Sequence, residues 1–184
     1  MRRKKCREQI FKLLFQVEFI EKQEYPEMIE MSFMPRTLTD EEIEAGDEEI
    51  SEDSFTEQEK NYISEKFDKI VEKIGDLDVI INETAVDWST KRMGKVELAI
   101  LRLALYEMKE DDDIPESVAI NEAVELAKKY GGNESYAFVN GILSKCAENQ
   151  EKHKENPNKK EKIKVRKPVK PAKIVMKGSA SKKE

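Results

Sequence analysis

The sequence predicts an all-α protein of about seven helices, on three observations. Apolar residues recur three and four apart in one segment after another. No segment shows the strict alternation of a half-buried strand. Helix-boundary residues stand at the edges of the periodic segments, so helices joined by short connections pack as antiparallel neighbours.

The first helix is predicted over Arg3 to Phe19. Ile10, Leu13, Leu14 and Val17 mark one face, which Phe11, Phe15 and Phe19 widen. From about Ser32 to Ser54 the chain is acidic and of low complexity, with Pro35 and Gly46 as breakers; a short helix near Glu41 to Ile50 stays open. Thr56 followed by Glu59 is a capping-box signature. Ile63, Phe67, Ile70, Val71 and Ile74 follow it, and Gly75 reads as the C-terminal stop. Leu77, Ile81, Ala85 and Trp88 continue the period through a further helix. Val96 to Met108 is apolar almost all round, the mark of a central buried helix. Pro115 opens the next helix, which carries Ala119, Ala123, Leu126, Ala127 and Tyr130 and stops at Gly131-Gly132. The last runs from about Glu134 to Ala147, with Val139, Ile142, Leu143 and Cys146 on one face. Residues 1–150 are thus expected to form one helical domain. The lysine-rich 151–184, interrupted by Pro157, Pro168 and Pro171, is expected to be a disordered basic tail.

Composition narrows the function classes. The 184 residues are 39% charged and 38% hydrophobic, as in a protein with a solvated surface. No apolar run approaches the ~18 residues of a membrane helix. Arg7, Glu8, Gln9 and Lys12 interrupt any signal-peptide core after the basic start, so a cytoplasmic protein without membrane contact is expected. Cys6 and Cys146 lie far apart, and His153 is the only histidine and sits in the tail. That argues against a zinc site and leaves nucleophilic catalysis without a base. No phosphate-binding loop is present, and Asp111-Asp112-Asp113 lacks the alternating spacing of a calcium loop. No enzyme activity, metal or cofactor is expected.

What remains is charge segregation. The net charge of −6 hides a basic start, an acidic middle and a basic tail. Arg2, Arg3, Lys4, Lys5, Arg7 and Lys12 crowd the first helix, where the helix dipole disfavours cations, so an anionic partner is implied. Lys95, Arg102 and Lys109 are spaced by seven along the central helix; Arg102 also fits a partly buried ion pair with Glu122 or another inward carboxylate. Tyr136 and Phe138 open the last helix and could stack on unpaired bases, although such residues are more often core.

Four segments resemble NusB proteins. Arg2 to Phe15 is similar to their basic first helix, Val96 to Glu107 to their central helix, Val118 to Lys128 to the next, and Phe138 to Leu143 to the last. The resemblance implies two small packed helical bundles and no catalytic activity. It implies processive transcription antitermination: binding of a boxA-type single-stranded RNA jointly with the ribosomal protein NusE, and tethering of the transcript to elongating RNA polymerase with other Nus factors. Carried onto this chain, it implies RNA contacts at Arg2, Arg3, Lys4, Lys5, Arg7, Lys95, Asn133, Glu134, Ser135, Phe138 and Asn140. Glu134 would accept from an exocyclic amine or cap the helix. It implies NusE contacts at Phe15, Phe19 and Glu97, although a core role for the two phenylalanines has equal standing. The acidic stretch and the tail depart from the family pattern. So do the lysines that replace arginines at the start, which keep charge but lose bidentate geometry. A methyltransferase-linked module of similar fold would need a downstream α/β domain, and the chain is too short for one. A protein-only helical adaptor and a self-associating homodimer stay open.

Overall fold

The structure, a computed structural model, describes residues 2–34, 54–85 and 88–155, without the side chains of 150–155. Six α-helices follow one another, and no strand occurs among the described residues: α1 Arg3–Gln16, α2 Tyr25–Met31, α3 Glu57–Thr84, α4 Lys95–Glu110, α5 Glu116–Tyr130 and α6 Ser135–Glu155. The expected short helix near Glu41 to Ile50, the acidic 35–53 and the tail beyond 155 lie outside the described residues.

Helix α4 organises the rest. Every residue from Leu98 to Glu107 is buried, as its apolar circumference predicts. Helices α1 and α3 pack against it on one side and α5 and α6 on the other, while α1 also crosses α3 and α5 pairs with α6. An N-terminal group, α1 to α3, and a C-terminal group, α4 to α6, therefore share one continuous core. Ile10, Leu14, Phe67, Ile70, Ile100, Leu105, Val139 and Leu143 are all part of it.

Helix α6 runs on to Glu155, past the expected end at Ala147 and into the first residues of the expected tail, and three further boundaries differ from the expectation. α1 ends at Gln16 rather than Phe19, because the chain turns there and Phe19 N–H donates to the Gln16 carbonyl at 2.9 Å. The short α2 has no counterpart in the expected set. It follows a 3-10 turn, Lys22–Glu24, closed by a Glu21/Glu24 capping box, and Pro26 lies in its first turn. Its acidic composition hides a single buried anchor, Met28.

The third difference is at Gly75. Thr56 and Glu59 form the expected reciprocal cap, with Glu59 N–H donating to Thr56 Oγ1 at 3.3 Å and Thr56 N–H to Glu59 at 3.1 Å. The helix then runs straight through Gly75 for 28 residues. A glycine inside a helix costs up to about 1 kcal/mol against alanine. Here the apolar period outweighs it: Ile63, Phe67, Ile70, Leu77 and Ile81 line one buried face on both sides of the glycine. Two expected helices are one.

Candidate nucleic-acid interface

Two ion-pair networks hold the N-terminal helices on α4 and settle which cations face water. In the first, Arg7 Nε donates to Glu107 Oε2 at 2.9 Å and Arg7 Nη1 lies 3.2 Å from Glu122. Lys66 Nζ donates to Glu107 Oε1 at 2.7 Å, to Asp111 at 2.9 Å and to Tyr62 at 3.1 Å. Arg7 is 7% exposed and Glu107 2%. Burial pushes the Lys66 ammonium pKa down, but the Glu107 carboxylate and the hydrogen bonds to Asp111 and Tyr62 outweigh it and raise it above the ordinary lysine value. Arg7 was expected to touch RNA. Its guanidinium is instead spent inside the fold: position 7 lies alongside Glu107 of α4, whereas Arg3, one turn earlier on the same face of α1, reaches only the Asp113 carbonyl beyond the end of α4.

In the second network Arg102 grips Asp78 bidentately, at 2.8 and 2.9 Å, and reaches Glu18 at 2.5 Å. Arg102 is therefore a buried paired arginine, as its apolar surroundings suggested, but its partners are Asp78 and Glu18. Glu122 belongs to Arg7. Lys95 also pairs with Glu18, with a partly exposed side chain.

The other α1 cations lie outside the core. Arg3 and Lys4 are exposed. Arg2 donates to Glu59 from its backbone N–H at 2.8 Å and from its guanidinium at 2.9 Å, and to the Ser54 carbonyl at 2.6 Å. These bonds hold the Glu59 carboxyl well below the usual carboxylate range. Lys5 Nζ sits 4.8 Å from the centre of the Phe55 ring.

Around the middle of α1, Glu8 gathers three donors from two helices. Lys129 Nζ is 2.8 Å away and Lys12 Nζ 3.2 Å, and Tyr130 Oη donates to the same carboxylate. The Tyr130 ring packs on Phe11 with centroids 5.0 Å apart. Partial burial pushes the Glu8 carboxyl up, but the donors bring it down to about 2. The folded value is depressed, so the stabilisation is complete above the ordinary carboxylate pKa. It is lost as pH falls from there through about 2. A carbon-detected NMR titration of Glu8 is expected to find a midpoint near 2; one above 4 would show that the donors do not hold it in solution.

This junction carries the basic face of α1 to the end of α5, where Lys128 and Lys129 extend it. The chain then turns at Gly131 into α6. A Cβ at position 131 would stand 2.4 Å from Ser135 Cβ and 2.7 Å from the Ala127 carbonyl oxygen, so only glycine lets the two helix ends approach so closely. Gly131 ends the helix as expected, its backbone turning extended there.

Beyond the turn, Asn133, Glu134 and Asn140 are exposed. Ser135 is not: it is 7% exposed and its Oγ donates to Glu97. Glu97 folds back over Gly94, the residue that caps α4. The Glu134 carboxylate makes no helix-capping hydrogen bond among the described residues; only its carbonyl takes the Phe138 N–H, at 3.1 Å. Phe138 is half-buried and meets Trp88 edge to face, with centroids 5.7 Å apart at 67°. Trp88, read from the sequence as a continuation of the core period, is 50% exposed. Together they border a cleft of about 370 Å³. Phe15 is half-buried on the core and stacks at 5.1 Å on Phe19, which is 62% exposed.

Sequence reasoning missed Trp88, Lys128 and Lys129 as surface residues. A tryptophan that continues an apolar period reads as core, whereas Trp88 is half exposed.

No metal-ligating cluster occurs among the described residues, and no helix there is long and apolar enough to cross a membrane. Among the described residues, the all-helical fold carries exposed cations on α1 and α5 and an aromatic cleft at the start of α6. The profile of the NusB family matches residues 4–148. Transcription antitermination protein NusB of Agathobacter rectalis is 50% identical over 147 residues, spanning 80% of this chain and all of the relative. The protein of the same name from Lachnoclostridium phytofermentans is 43% identical over 145 residues, 79% of this chain and 98% of its own. Among solved structures, T. maritima NusB superposes with a TM-score of 0.65 at 30% identity over 84% of this chain and 98% of that one. A chain from the crystal structure of antitermination factors NusB and NusE in complex with dsRNA shares the fold, with a TM-score of 0.60 at 23% identity over 80% of this chain and 96% of that one. The chain belongs to the NusB family, whose members are transcription antitermination factors and not enzymes.

Proposed function

We propose that the chain binds a boxA-type single-stranded RNA together with the ribosomal protein NusE, and links that transcript to elongating RNA polymerase with other Nus factors in the cytoplasm, supporting ribosomal RNA transcription. One observation carries the reading: the Glu8 junction joins the cationic face of α1 to the α5–α6 turn, so phosphate-binding and base-binding chemistry lie on one continuous surface. Arg3 and Lys4 are its principal phosphate contacts, with Arg2, Lys5 and Lys95 beside their internal partners. Asn133, Glu134, Phe138 and Asn140 meet the bases. Arg7 and Ser135 position these groups from inside. Residues 1–150 form the binding unit, and the lysines of 151–184 add contacts that do not depend on sequence. A known structure joins NusB and NusE with RNA, which supports the pairing of partners.

NusE docks over Phe15, Phe19 and Glu97. The Lys95–Glu18 pair ties the first turn of α4 to the end of α1, so these three residues lie on neighbouring elements. The exposed Phe19 ring is a suitable anchor. Anisotropy titration of boxA RNA is expected to show binding that NusE tightens; no binding at low salt with NusE present would refute the function. Glu97→Lys is expected to weaken the NusE complex about ten-fold or more, on the scale of a mispaired interface charge, with helical content retained by circular dichroism. Equal NusE affinity in both proteins removes Glu97 from that interface.

A further inference from the structure

We propose that the acidic cleft between α3 and the end of α4 holds lysines of this chain's own C-terminal extension, residues 156–184, with the Tyr106 hydroxyl and the carboxylates of Glu65, Asp112 and Asp113 as their acceptors.

The cleft, of about 330 Å³, lies where α3 passes the end of α4. Its charges sort into spent and unspent. Lys66 lies between Glu107 and Asp111, and Glu110 pairs with Lys73. Asp111 takes Lys66 on one oxygen and the Asp113 N–H on the other, at 3.2 Å, which fixes the loop that carries the next two acids. Glu65, Asp112 and Asp113 are exposed, and their carboxylates make no hydrogen bond or ion pair among the described residues. Lys69 is the one lining cation without an ion pair there. The open carbonyls at the end of α4 add to the negative potential. Such a cleft repels phosphate and draws a cation.

Tyr106 gives it a built acceptor. This side chain is 7% exposed and lines the cleft, yet its hydroxyl makes no hydrogen bond among the described residues. Burial pushes the phenol pKa up against the pull of Lys66, so the hydroxyl stays neutral. A neutral hydroxyl accepts from an ammonium, whose three donors reach the hydroxyl and two carboxylates together. The same contact already exists one residue pair away, where Lys66 Nζ donates to Tyr62 Oη at 3.1 Å.

The extension is the occupant that charge and position favour. Residues 156–184 contain eleven lysines and arginines against two acids, Glu161 and Glu184. Helix α6 starts beside the start of α4, where Ser135 meets Glu97, and further along the Lys109 charge acts on Cys146. The two helices thus run in one direction, and α6 leaves the core at the end of α4 that carries the cleft. Ten extended residues reach roughly 35 Å, longer than the whole of α4, roughly 24 Å for its 16 residues. A tether also makes the encounter intramolecular, which favours these lysines over those of a free partner.

A water-soluble carbodiimide, which joins a carboxylate to a lysine amine in contact with it, tests the proposal on the full-length protein. Equal amounts of unlabelled and ¹⁵N-labelled chain are treated at low salt and mapped by mass spectrometry. Lysines between Lys159 and Lys177 are expected to join Glu65, Asp112 and Asp113 within one chain. The yield should exceed several-fold that at Glu72 and Glu83, exposed carboxylates of α3 without an ion pair among the described residues. Asp112→Asn with Asp113→Asn is expected to lower the yield at the unaltered Glu65 several-fold. Tyr106→Phe, which removes the hydroxyl and no charge, is expected to lower it roughly two- to ten-fold, the scale of one hydrogen bond. Yields spread evenly over exposed carboxylates, or a Glu65 yield unchanged in both variants, overturn the proposal. So do joins concentrated on the acids between Asp40 and Asp53, which assign the extension to the acidic stretch. Joins to the cleft that link labelled to unlabelled chains give it to a second copy and overturn the intramolecular reading.

Discussion

Replacing Glu107 with alanine is expected to lower the unfolding free energy by about 3–5 kcal/mol, the cost of breaking a buried ion pair from one side. Glu107 is the hub of three helices: Arg7 of α1 binds one oxygen at 2.9 Å, and Lys66 of α3 binds the other at 2.7 Å. All three side chains are almost fully buried, so truncation leaves two cations facing one another without their shared counter-charge. Glu122 and Asp111 still hold one cation each, but both are more exposed than Glu107 and neither lies between the cations. Since domains of this size are stable by only about 5–15 kcal/mol, the variant should unfold at a much lower urea concentration. Lys60→Ala is the control: its pair with Glu57 lies at the surface, where such a pair is worth about 0–1 kcal/mol. A Glu107→Ala effect no larger than the control's would show that the two outer carboxylates suffice.

That network shows why some of the fold was legible and some was not. Helical period identifies the buried face of a helix, and it identified α4 as central, because apolar residues on every side leave no other place for it. It does not say which element lies opposite. Arg102 was readable as buried and paired, but its partners come from the turn after α1 and from α3, at sequence separations that no local pattern encodes. Gly75 misled for a related reason. Its intrinsic cost is set locally, whereas the burial of Leu77 and Ile81 that overrides it comes from the packed neighbours. α2 escaped because one buried methionine among acids leaves too little apolar surface to make a period.

The site was legible by region and less so by residue. A run of cations at a helix start and a glycine turn before the last helix stand out from the background of the sequence. Which members of the run reach water depends on where each falls along α1 relative to Glu107 of α4, and that position takes Arg7 inside while Arg3, on the same helix face, stays outside. Ser135 looked like any polar residue at a helix start until Glu97, on another helix, took its hydroxyl. Trp88 shows the converse: residue type and spacing predicted burial, and the packing of Phe138 leaves half of it outside.

The placement of these cations along α1 predicts a clean separation between two kinds of charge removal. Replacing Arg3 and Lys4 together with alanine is expected to flatten the log–log salt dependence of RNA binding by about 0.7 for each phosphate no longer neutralised. It should weaken all RNA sequences alike and leave the unfolding midpoint nearly unchanged. Both residues are exposed, and the approach of Arg3 to the Asp113 carbonyl, at 3.5 Å, is too long to hold the fold. Arg7→Ala removes a positive charge one helical turn further along the same helix, yet its effect is expected on the other axis. It leaves Glu107 with Lys66 alone, destabilises the protein by about 3–5 kcal/mol, and leaves the salt slope of the folded fraction unchanged. The measurement is anisotropy titration at four or more salt concentrations, beside urea denaturation of each variant. A salt slope that falls for Arg7→Ala and stays fixed for the Arg3 and Lys4 double variant would mean that Arg7 swings out to meet RNA. The buried network would then be a resting state opened by binding, and the phosphate path would run one helical turn closer to α4 than the exposed cations place it.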